Sequence, residues 1–340
     1  MNICVISSGS WGSALAYMLS QNGHKVNLWF RSEEKAKMAI KLRENKEYLP
    51  GISIPEGVNI VWDIEEAARG CDFFVQGAPS KAVRESVTNF SPFIKAGSTI
   101  VNVSKGMEEK SLKRLSEVIA EVLPEVNIAV LSGPSHAEEV AKKVPTAIVA
   151  SSVDLKVAEH VQDVFMNQHF RVYTNDDIIG VEMGGAMKNV IALAAGISDG
   201  MGCGDNGKAA LMTRGIKEIA MLGMAMGARV ETFSGLSGIG DLIVTCTSLH
   251  SRNRRAGILL GQGKSLEETL EEVHMVVEGV HTTRTAMYLA DKYNVEAPIT
   301  TEIYKTIEEG KDPKLAVRDL MTRDKKHEHG SEDIMYNGGY

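Results

Sequence analysis

The sequence has few cysteines, and the four it has are isolated from one another. Cys4, Cys71, Cys203 and Cys246 are scattered over 340 residues and form no CxxC pair. Because disulfide frameworks and zinc sites both need regularly spaced cysteines, we expect neither. The nine histidines are equally dispersed, so we expect no metal site. Isolated, reduced thiols are typical of a cytoplasmic protein.

The chain also lacks a strong excess of charge and a long apolar run. Its net charge of -7 argues against a general nucleic-acid binder. No stretch reaches the roughly 20 consecutive apolar residues that a membrane span needs. The first strand pattern begins at the second residue, which leaves no room for a signal peptide. We therefore expect a soluble cytoplasmic protein with a small-molecule partner, long enough for two domains.

Strand and helix patterns alternate over the first half of the chain. Short apolar runs predict strands at 2–6, 26–30, 59–62, 73–76, 99–103, 127–131, 146–150 and 171–174. Helical patterns between them include 10–21, 32–45, 110–123 and 154–168. This alternation indicates parallel βαβ units in a doubly wound sheet. The expected fold class for residues 1–175 is an α/β Rossmann-like domain.

Beyond residue 176 the strand pattern gives way to helices. Residues 178–198 are nearly uncharged and apolar around the circumference, which predicts a helix buried on all sides. Further helical patterns lie at 208–228, 237–245, 253–261, 266–273, 281–292 and 299–309. We expect an all-α domain over residues 176–324 and a loose polar tail over 325–340.

The turn SSGSWG at residues 7–12 joins the first strand to the first helix. Gly9 lets backbone approach a pyrophosphate and Gly12 lets the helix pack against the strand, as in a dinucleotide-binding turn. Ser7 stands at the position of the first glycine, so a plain strand-to-helix turn is the alternative. Arg31 follows the second strand, where NAD-specific units have an acidic residue. Its guanidinium suits a 2′-phosphate, unless it is simply the polar residue after a strand.

Lys188 lies in the most apolar stretch of the chain, with Glu182 and Asp199 as the nearest carboxylates in sequence. Desolvation of an ammonium lowers its pKa, which suits proton transfer near neutral pH. The neighbouring Asn189 could fix a substrate hydroxyl. A lysine that extends from a buried helix to the surface is an equally good interpretation.

Other segments supply a carboxylate and phosphate-binding groups. Asp241 could pair with Lys188, or it could cap a helix. Residues 251–255, SRNRR, place three arginines before a helical pattern, which suits a monophosphate, although a solvated basic patch is the alternative. Lys105 and the segment 132–135 follow strands, at the sheet edge where ligands bind. Together these parts predict a site for a nicotinamide cofactor and a small phosphorylated molecule.

Six ordered segments are recognisable. They read SSGSWGSALA at 7–16, NVSKGME at 102–108, LSGPSHAEEVA at 131–141, GGAMKNVIALAAGISDGMG at 184–202, GIGDLIVTCTSLHSRNRR at 238–255 and VVEGVHTT at 276–283. In these segments the chain resembles the bacterial NAD(P)-dependent glycerol-3-phosphate dehydrogenases along nearly its whole length. The resemblance implies reversible hydride transfer between NAD(P)H and dihydroxyacetone phosphate, which gives sn-glycerol 3-phosphate for phospholipid synthesis.

The resemblance also implies roles for single residues. Lys188 matches the proton donor and acceptor of the family. The positions that match the substrate site are Lys105, Gly133, Ser135, Lys188, Asp241, Ser251, Arg252 and Asn253. The positions that match contacts to NADP(H) or NAD(H) are Ser10, Trp11, Arg31, Lys105, Ala137, Arg252, Val276 and Glu278. Thr245 and Asn189 are second-rank candidates.

The resemblance has one departure. The family usually reads GAGSWG, and Ser7 replaces its first glycine. A positive φ at this serine would cost on the order of 1 kcal/mol and affect cofactor affinity.

Two other functions remain open. A related two-domain dehydrogenase acting on a phosphorylated β-hydroxyacid, such as 6-phosphogluconate, would also suit the Lys188–Asn189 pair, although the segment 251–255 favours the triose phosphate. A non-catalytic NADP-binding sensor would suit Ser7, whereas Lys188, Asp241 and Arg252 oppose it. The Met-rich helices of the second domain supply either a homodimer face or core packing.

Overall fold

The strands of the first half pair into one eight-stranded sheet. The structure is a computed structural model and describes residues 1–274 and 276–328. Its strands are β1 (Asn2–Ile6), β2 (Lys25–Trp29), β3 (Val58–Val61), β4 (Phe73–Gln76), β5 (Thr99–Asn102), β6 (Met107–Glu108), β7 (Lys113–Arg114), β8 (Asn127–Ser132), β9 (Thr146–Ser151) and β10 (Phe170–Asn175). The order across the sheet is β10-β9-β8-β5-β4-β1-β2-β3, and β6 pairs with β7 as a separate hairpin. All eight predicted strands are present in the sheet.

One strand direction differs from the prediction of a parallel sheet. From β3 across to β8 the pairs are parallel, but β9 runs antiparallel to β8, with Val130 opposite Ser151. β10 is parallel to β9. A parallel connection needs a crossover of about a dozen residues or more, usually with a helix that runs back along the sheet. The connection before β9 contains only a five-residue helix, Ala137–Ala141, and the chain reverses instead.

Seven helices accompany the sheet: α1 (Ser10–Gln21), α2 (Glu33–Leu42), α3 (Ile64–Ala68), α4 (Val83–Phe90), α5 (Leu115–Val122), α6 (Ala137–Ala141) and α7 (Leu155–Phe165). The helix predicted over 110–123 is wrong in its first half, where β7 lies and Leu112 has a φ of 59°. The backbone N–H of Ser116 donates to the carboxylate of Glu182, 2.9 Å away, near the start of α5. That carboxylate is distant in sequence, so local periodicity could not reveal it.

The second half is helical, as predicted. Its helices are α8 (Ile178–Gly200), α9 (Gly204–Ala225), α10 (Val230–Phe233), α11 (Asp241–Thr247), α12 (Arg252–Gly261), α13 (Leu266–Val273), α14 (Glu278–Tyr293), α15 (Pro298–Glu308) and α16 (Pro313–Met321). An irregular turn at Leu236–Gly240 precedes α11, so the pattern at 237–245 is only partly helical. Residues 329–340 of the predicted polar tail lie outside the described residues.

Helix α8 is the centre of the helical half. It is long and apolar enough to span a membrane by length and composition alone, but 94% of its most apolar window is buried inside the fold. Helix α12 crosses it with the two backbones in contact. A Cβ atom on Gly196 would lie 2.1 Å from the carbonyl oxygen of Arg254, and one on Gly257 would lie 2.1 Å from that of Leu193. Only glycine permits this approach.

Candidate active site

A single buried carboxylate joins two lysines where the helices meet the sheet. Nζ of Lys188 donates to Oδ1 of Asp241 at 2.5 Å and to Oγ1 of Thr245 at 2.8 Å. Nζ of Lys105 donates to Oδ2 of the same aspartate at 2.7 Å and to the carbonyl oxygen of Gly133 at 2.9 Å. Lys188 is 6% exposed and Asp241 is 1% exposed. Lys188 therefore stays in the interior, and the carboxylate of Asp241 is an ion-pair partner.

The cluster has the electrostatics that proton transfer needs. Burial lowers the pKa of Lys188 to about 7, with the Asp241 carboxylate opposing the shift and the Lys105 ammonium adding to it. For Asp241, burial acts to raise the pKa, but the Lys105 and Lys188 ammonium groups outweigh burial and lower it. The carboxylate therefore stays ionised while Lys188 is able to exchange a proton near neutral pH.

The fold explains why these groups meet. Lys105 follows β5 and Gly133 follows β8, so both lie at the carboxyl edge of the parallel part of the sheet. Crevices at that edge are where ligands bind in open α/β sheets. Lys188 comes from the middle of α8, and Asp241 begins α11. Ser135, close to Gly133, donates its hydroxyl to the Gly133 carbonyl at 2.8 Å.

The start of α12 is joined to the helix that carries Lys188. The side chain of Asn253 donates to Oδ1 of Asn189 at 2.9 Å and accepts from the backbone N–H of Gly279 at 2.8 Å. Ser251 caps the helix by accepting from the backbone N–H of Arg254. The amides of Asn189 and Asn253 thus hold α8, α12 and α14 together.

The three arginines of this segment are not equivalent. The guanidinium of Arg254 pairs with Asp199 of α8 at 2.8 Å. Arg252 and Arg255 are exposed, and their side chains make no hydrogen bond or ion pair to other described residues. The interpretation as a solvated basic patch is therefore wrong for Arg254. Arg252, the first residue of α12, keeps its donors available beside the helix N-terminus.

The glycine turn after β1 has free donors. Gly9 precedes α1 without a side-chain cap, and within the described chain the backbone N–H groups of Ser10, Trp11 and Gly12 have no acceptor. A Cβ atom on Gly12 would lie 2.1 Å from the carbonyl oxygen of Ser7, so only glycine allows the helix so close to the strand. These features fit a dinucleotide pyrophosphate. The expected strain at Ser7 does not occur, because its φ is not positive and its hydroxyl accepts from the N–H of Gly9 at 3.1 Å.

The remaining predicted cofactor positions differ in their surroundings. Arg31 lies just beyond β2 and is exposed, with its guanidinium 3.7 Å from Glu85. Ala137 begins α6 and is buried, and Val276 is half-buried before α14. Glu278 begins α14, and its carboxylate accepts from the hydroxyl of Ser80 at 2.6 Å and from the Ser80 backbone N–H at 3.2 Å. Ser80 is not among the predicted site residues, although it follows β4 at the carboxyl edge of the sheet, where ligands bind.

A glycine turn with free N–H groups on a mostly parallel sheet, followed by a helical half with a buried lysine–carboxylate pair, is typical of a nicotinamide-dependent dehydrogenase. The family model for the N-terminus of NAD-dependent glycerol-3-phosphate dehydrogenase matches residues 2–158, and the model for its C-terminus matches residues 177–318. The chain belongs to this family. The expected NAD(P) cofactor class and the assignment as an oxidoreductase are thereby confirmed.

Individual relatives cover almost the whole chain. The chain is 53% identical over 332 residues to the glycerol-3-phosphate dehydrogenase [NAD(P)+] of Pelotomaculum thermopropionicum, covering 96% of this chain and 94% of the relative. It is 53% identical over 336 residues to that of Bacillus velezensis, with coverages of 98% and 97%. The crystal structure of glycerol-3-phosphate dehydrogenase from Coxiella burnetii superposes with a TM-score of 0.92 at 38% identity, covering 95% of this chain and 99% of that one.

Proposed function

We propose that the protein catalyses the reversible, NAD(P)-dependent interconversion of dihydroxyacetone phosphate and sn-glycerol 3-phosphate. The observation that carries the proposal is the buried Lys188–Asp241–Lys105 cluster at the carboxyl edge of the sheet. Relatives at 53% identity carry the name of this activity. The physiological direction is toward glycerol 3-phosphate, the precursor of phospholipids, and the location is the cytoplasm.

The cofactor residues surround the turn after β1. The N–H groups of Ser10 and Trp11 bind the pyrophosphate, and Arg31 binds the 2′-phosphate of NADP(H) or the adenosine ribose of NAD(H). Further contacts come from Lys105, Ala137, Arg252, Val276 and Glu278. When bound, the reduced nicotinamide supplies the hydride for the substrate carbonyl carbon.

The substrate lies between the lysine cluster and the start of α12. Arg252 and the N–H groups near Ser251 bind the phosphate, because a guanidinium beside a helix N-terminus suits a dianion. Lys105, Gly133, Ser135 and Asn253 complete the substrate site, with Asn189 and Thr245 supporting it. Binding energy from the phosphate is gained away from the reacting carbon and positions the carbonyl.

Lys188 moves the proton. In the reductive direction its ammonium protonates the forming alkoxide, and in the oxidative direction its free amine accepts the hydroxyl proton. Asp241 orients Lys188 and raises the fraction of Lys188 that is protonated. Without a carboxylate the desolvated ammonium would lose its proton more readily.

The test is an assay of the purified protein with dihydroxyacetone phosphate and either NADPH or NADH, followed by the near-ultraviolet absorbance of the reduced nicotinamide. We expect oxidation of at least one cofactor that depends on the triose phosphate. No oxidation of either, with cofactor binding retained, would favour the sensor. Turnover with 6-phosphogluconate and NADP+, but not with the triose phosphate, would favour the β-hydroxyacid dehydrogenase.

We also propose how the chain divides into domains and how it assembles. The Rossmann-like part is a domain of residues 1–175, and the helical part is a second domain that begins at 176 and ends near 324. Two copies form a homodimer. Size-exclusion chromatography with light scattering tests the dimer, and limited proteolysis near residue 176 tests the division.

A further inference from the structure

His136 has a buried ring nitrogen without a hydrogen-bond partner among the described residues, beside the candidate active site. It precedes α6 and follows Ser135, in the segment whose Gly133 carbonyl binds Lys105. Its Nε2 atom is sealed from solvent, yet it has no hydrogen-bond partner among the described residues. Buried polar atoms in proteins are nearly always paired, so an unpaired nitrogen beside the lysine cluster is a candidate contact for a bound ligand.

The groups around the His136 ring determine its charge and the part of a ligand that it can contact. The His136 ring packs against that of His250, with 5.7 Å between centroids, and His250 lies two residues before Arg252. Burial lowers the pKa of His136, and the ammonium groups of Lys188 and then Lys105 lower it further. The imidazole is therefore neutral and lies close to both the lysine cluster and the segment that leads into α12.

A neutral imidazole suits one part of the proposed substrate better than the others. In the proposed function Arg252 binds the phosphate and Lys188 contacts the carbonyl oxygen. The primary hydroxyl of dihydroxyacetone phosphate has no side chain assigned to it. A hydroxyl both donates and accepts, so it pairs with Nε2 in either tautomer of the ring. A dianionic phosphate needs donors and gains little from an uncharged ring.

We propose that Nε2 of His136 hydrogen-bonds the primary hydroxyl of the substrate and is a specificity-determining group for that hydroxyl. This inference rests on the proposed function. It assigns a substrate contact to a residue between two predicted site positions, Ser135 and Ala137. A substrate without the hydroxyl leaves Nε2 unpaired in the complex and loses the bond.

The test combines substrate and protein changes. The value of kcat/KM is measured for dihydroxyacetone phosphate and for its deoxy analogue, hydroxyacetone phosphate, in the wild type, His136→Phe and His136→Gln. Division of the variant's ratio of the two values by the wild-type ratio cancels the intrinsic reactivity of each ketone. Because a neutral hydrogen bond contributes about 0.5 to 1.5 kcal/mol, we expect His136→Phe to reduce the preference for the hydroxylated substrate by about 2- to 13-fold. His136→Gln, whose amide reaches a similar position, should retain most of the preference for the hydroxylated substrate.

Controls separate this inference from the proposed function. His169→Phe, at an exposed position before β10, should leave the ratio unchanged. NADPH binding and thermal unfolding show whether each variant is intact, and His136→Met replaces the Phe variant if that one is unstable. A wild type with no activity toward dihydroxyacetone phosphate would contradict the proposed function. If the wild type is active but His136→Phe loses kcat/KM equally for both substrates, the role of His136 is overturned and the proposed function is not.

Discussion

Nζ of Lys188 lies 2.5 Å from Oδ1 of Asp241, in an interior where both side chains are almost fully buried. Asp241 also binds Lys105, so one carboxylate faces two ammonium groups. The cluster would carry one net positive charge if both lysines were protonated. That charge suits an anionic substrate. Burial lowers the pKa of Lys188 to about 7, with the Lys105 ammonium adding to the shift, while the two ammonium groups keep the carboxylate of Asp241 ionised.

Replacement of Lys188 by Ala or Met should abolish turnover in both directions and leave NADPH binding nearly unchanged. The reason is that the proton donor is lost while the turn after β1 is untouched. Steady-state kinetics and fluorescence titration of NADPH measure the two effects, and Met preserves the volume of the side chain. Because general acid–base groups contribute about 100-fold or more, turnover above about one tenth of the wild type would contradict the assigned role.

The pH dependence should have opposite signs in the two directions. Reduction needs the protonated amine, so kcat/KM for dihydroxyacetone phosphate should fall as pH rises through about 7. Oxidation needs the free amine, so kcat/KM for glycerol 3-phosphate should rise over the same range. Profiles of kcat/KM against pH, recorded at saturating cofactor, measure both directions. A shared inflection close to the pKa of an ordinary lysine, about 10.4, would show that burial does not govern this group.

Asp241→Asn should reduce both stability and reductive activity. It leaves the buried Lys188 and the half-buried Lys105 without a carboxylate partner, and breaking a buried ion pair costs about 3 to 5 kcal/mol. The pKa of Lys188 should fall further, which moves the reductive profile to lower pH. Urea unfolding measures the free energy of unfolding. The double variant Asp241→Asn/Lys105→Met should recover part of the lost stability. An Asn variant as stable as the wild type would show that the two lysines are not coupled through Asp241.

Arg31→Ala should lower the preference for NADPH over NADH. A hydrogen bond to a charged group contributes about 1.5 to 3 kcal/mol, so the ratio of the two kcat/KM values should fall by roughly tenfold or more. The matched control is Arg69→Ala, another exposed arginine, which lies 3.8 Å from Glu65. An unchanged cofactor preference in Arg31→Ala would remove the basis for assigning the 2′-phosphate to this residue.

Ser7→Gly, which restores the usual glycine, should change the KM for NADPH little. The serine already adopts the turn without a positive φ, and its hydroxyl binds the N–H of Gly9. The glycine variant should be less stable by about 0.5 to 1 kcal/mol, because glycine gives the unfolded chain more freedom. Thermal unfolding and cofactor titration measure both quantities. A large gain in cofactor affinity would mean that the serine does disturb the turn.

The sequence allowed prediction of features that depend on local pattern. The eight sheet strands and the buried α8 followed from periodicity, and Lys188 stood out because it interrupts an apolar stretch. Contacts between distant residues could not be predicted in the same way. The reversal of β9, the contact of Ser116 with Glu182 near the start of α5 and the Ser80–Glu278 contact all depend on tertiary neighbours. The role of Arg254 was hidden for the same reason, since Asp199 lies on another helix.

The glycine crossing of α8 and α12 has a consequence for the size of acceptable substrates. Lys188 is on one of these helices and Arg252 begins the other, so contact between two backbones sets the spacing of the proposed proton donor and the proposed phosphate-binding segment. Side chains can adopt new rotamers, but touching backbones have no such freedom. We therefore expect that acceptance of longer sugar phosphates would require a change at Gly196 or Gly257 as well as in the side chains that bind the substrate. If Lys188 and Arg252 have the proposed roles, helix packing sets the length of substrate that this protein accepts.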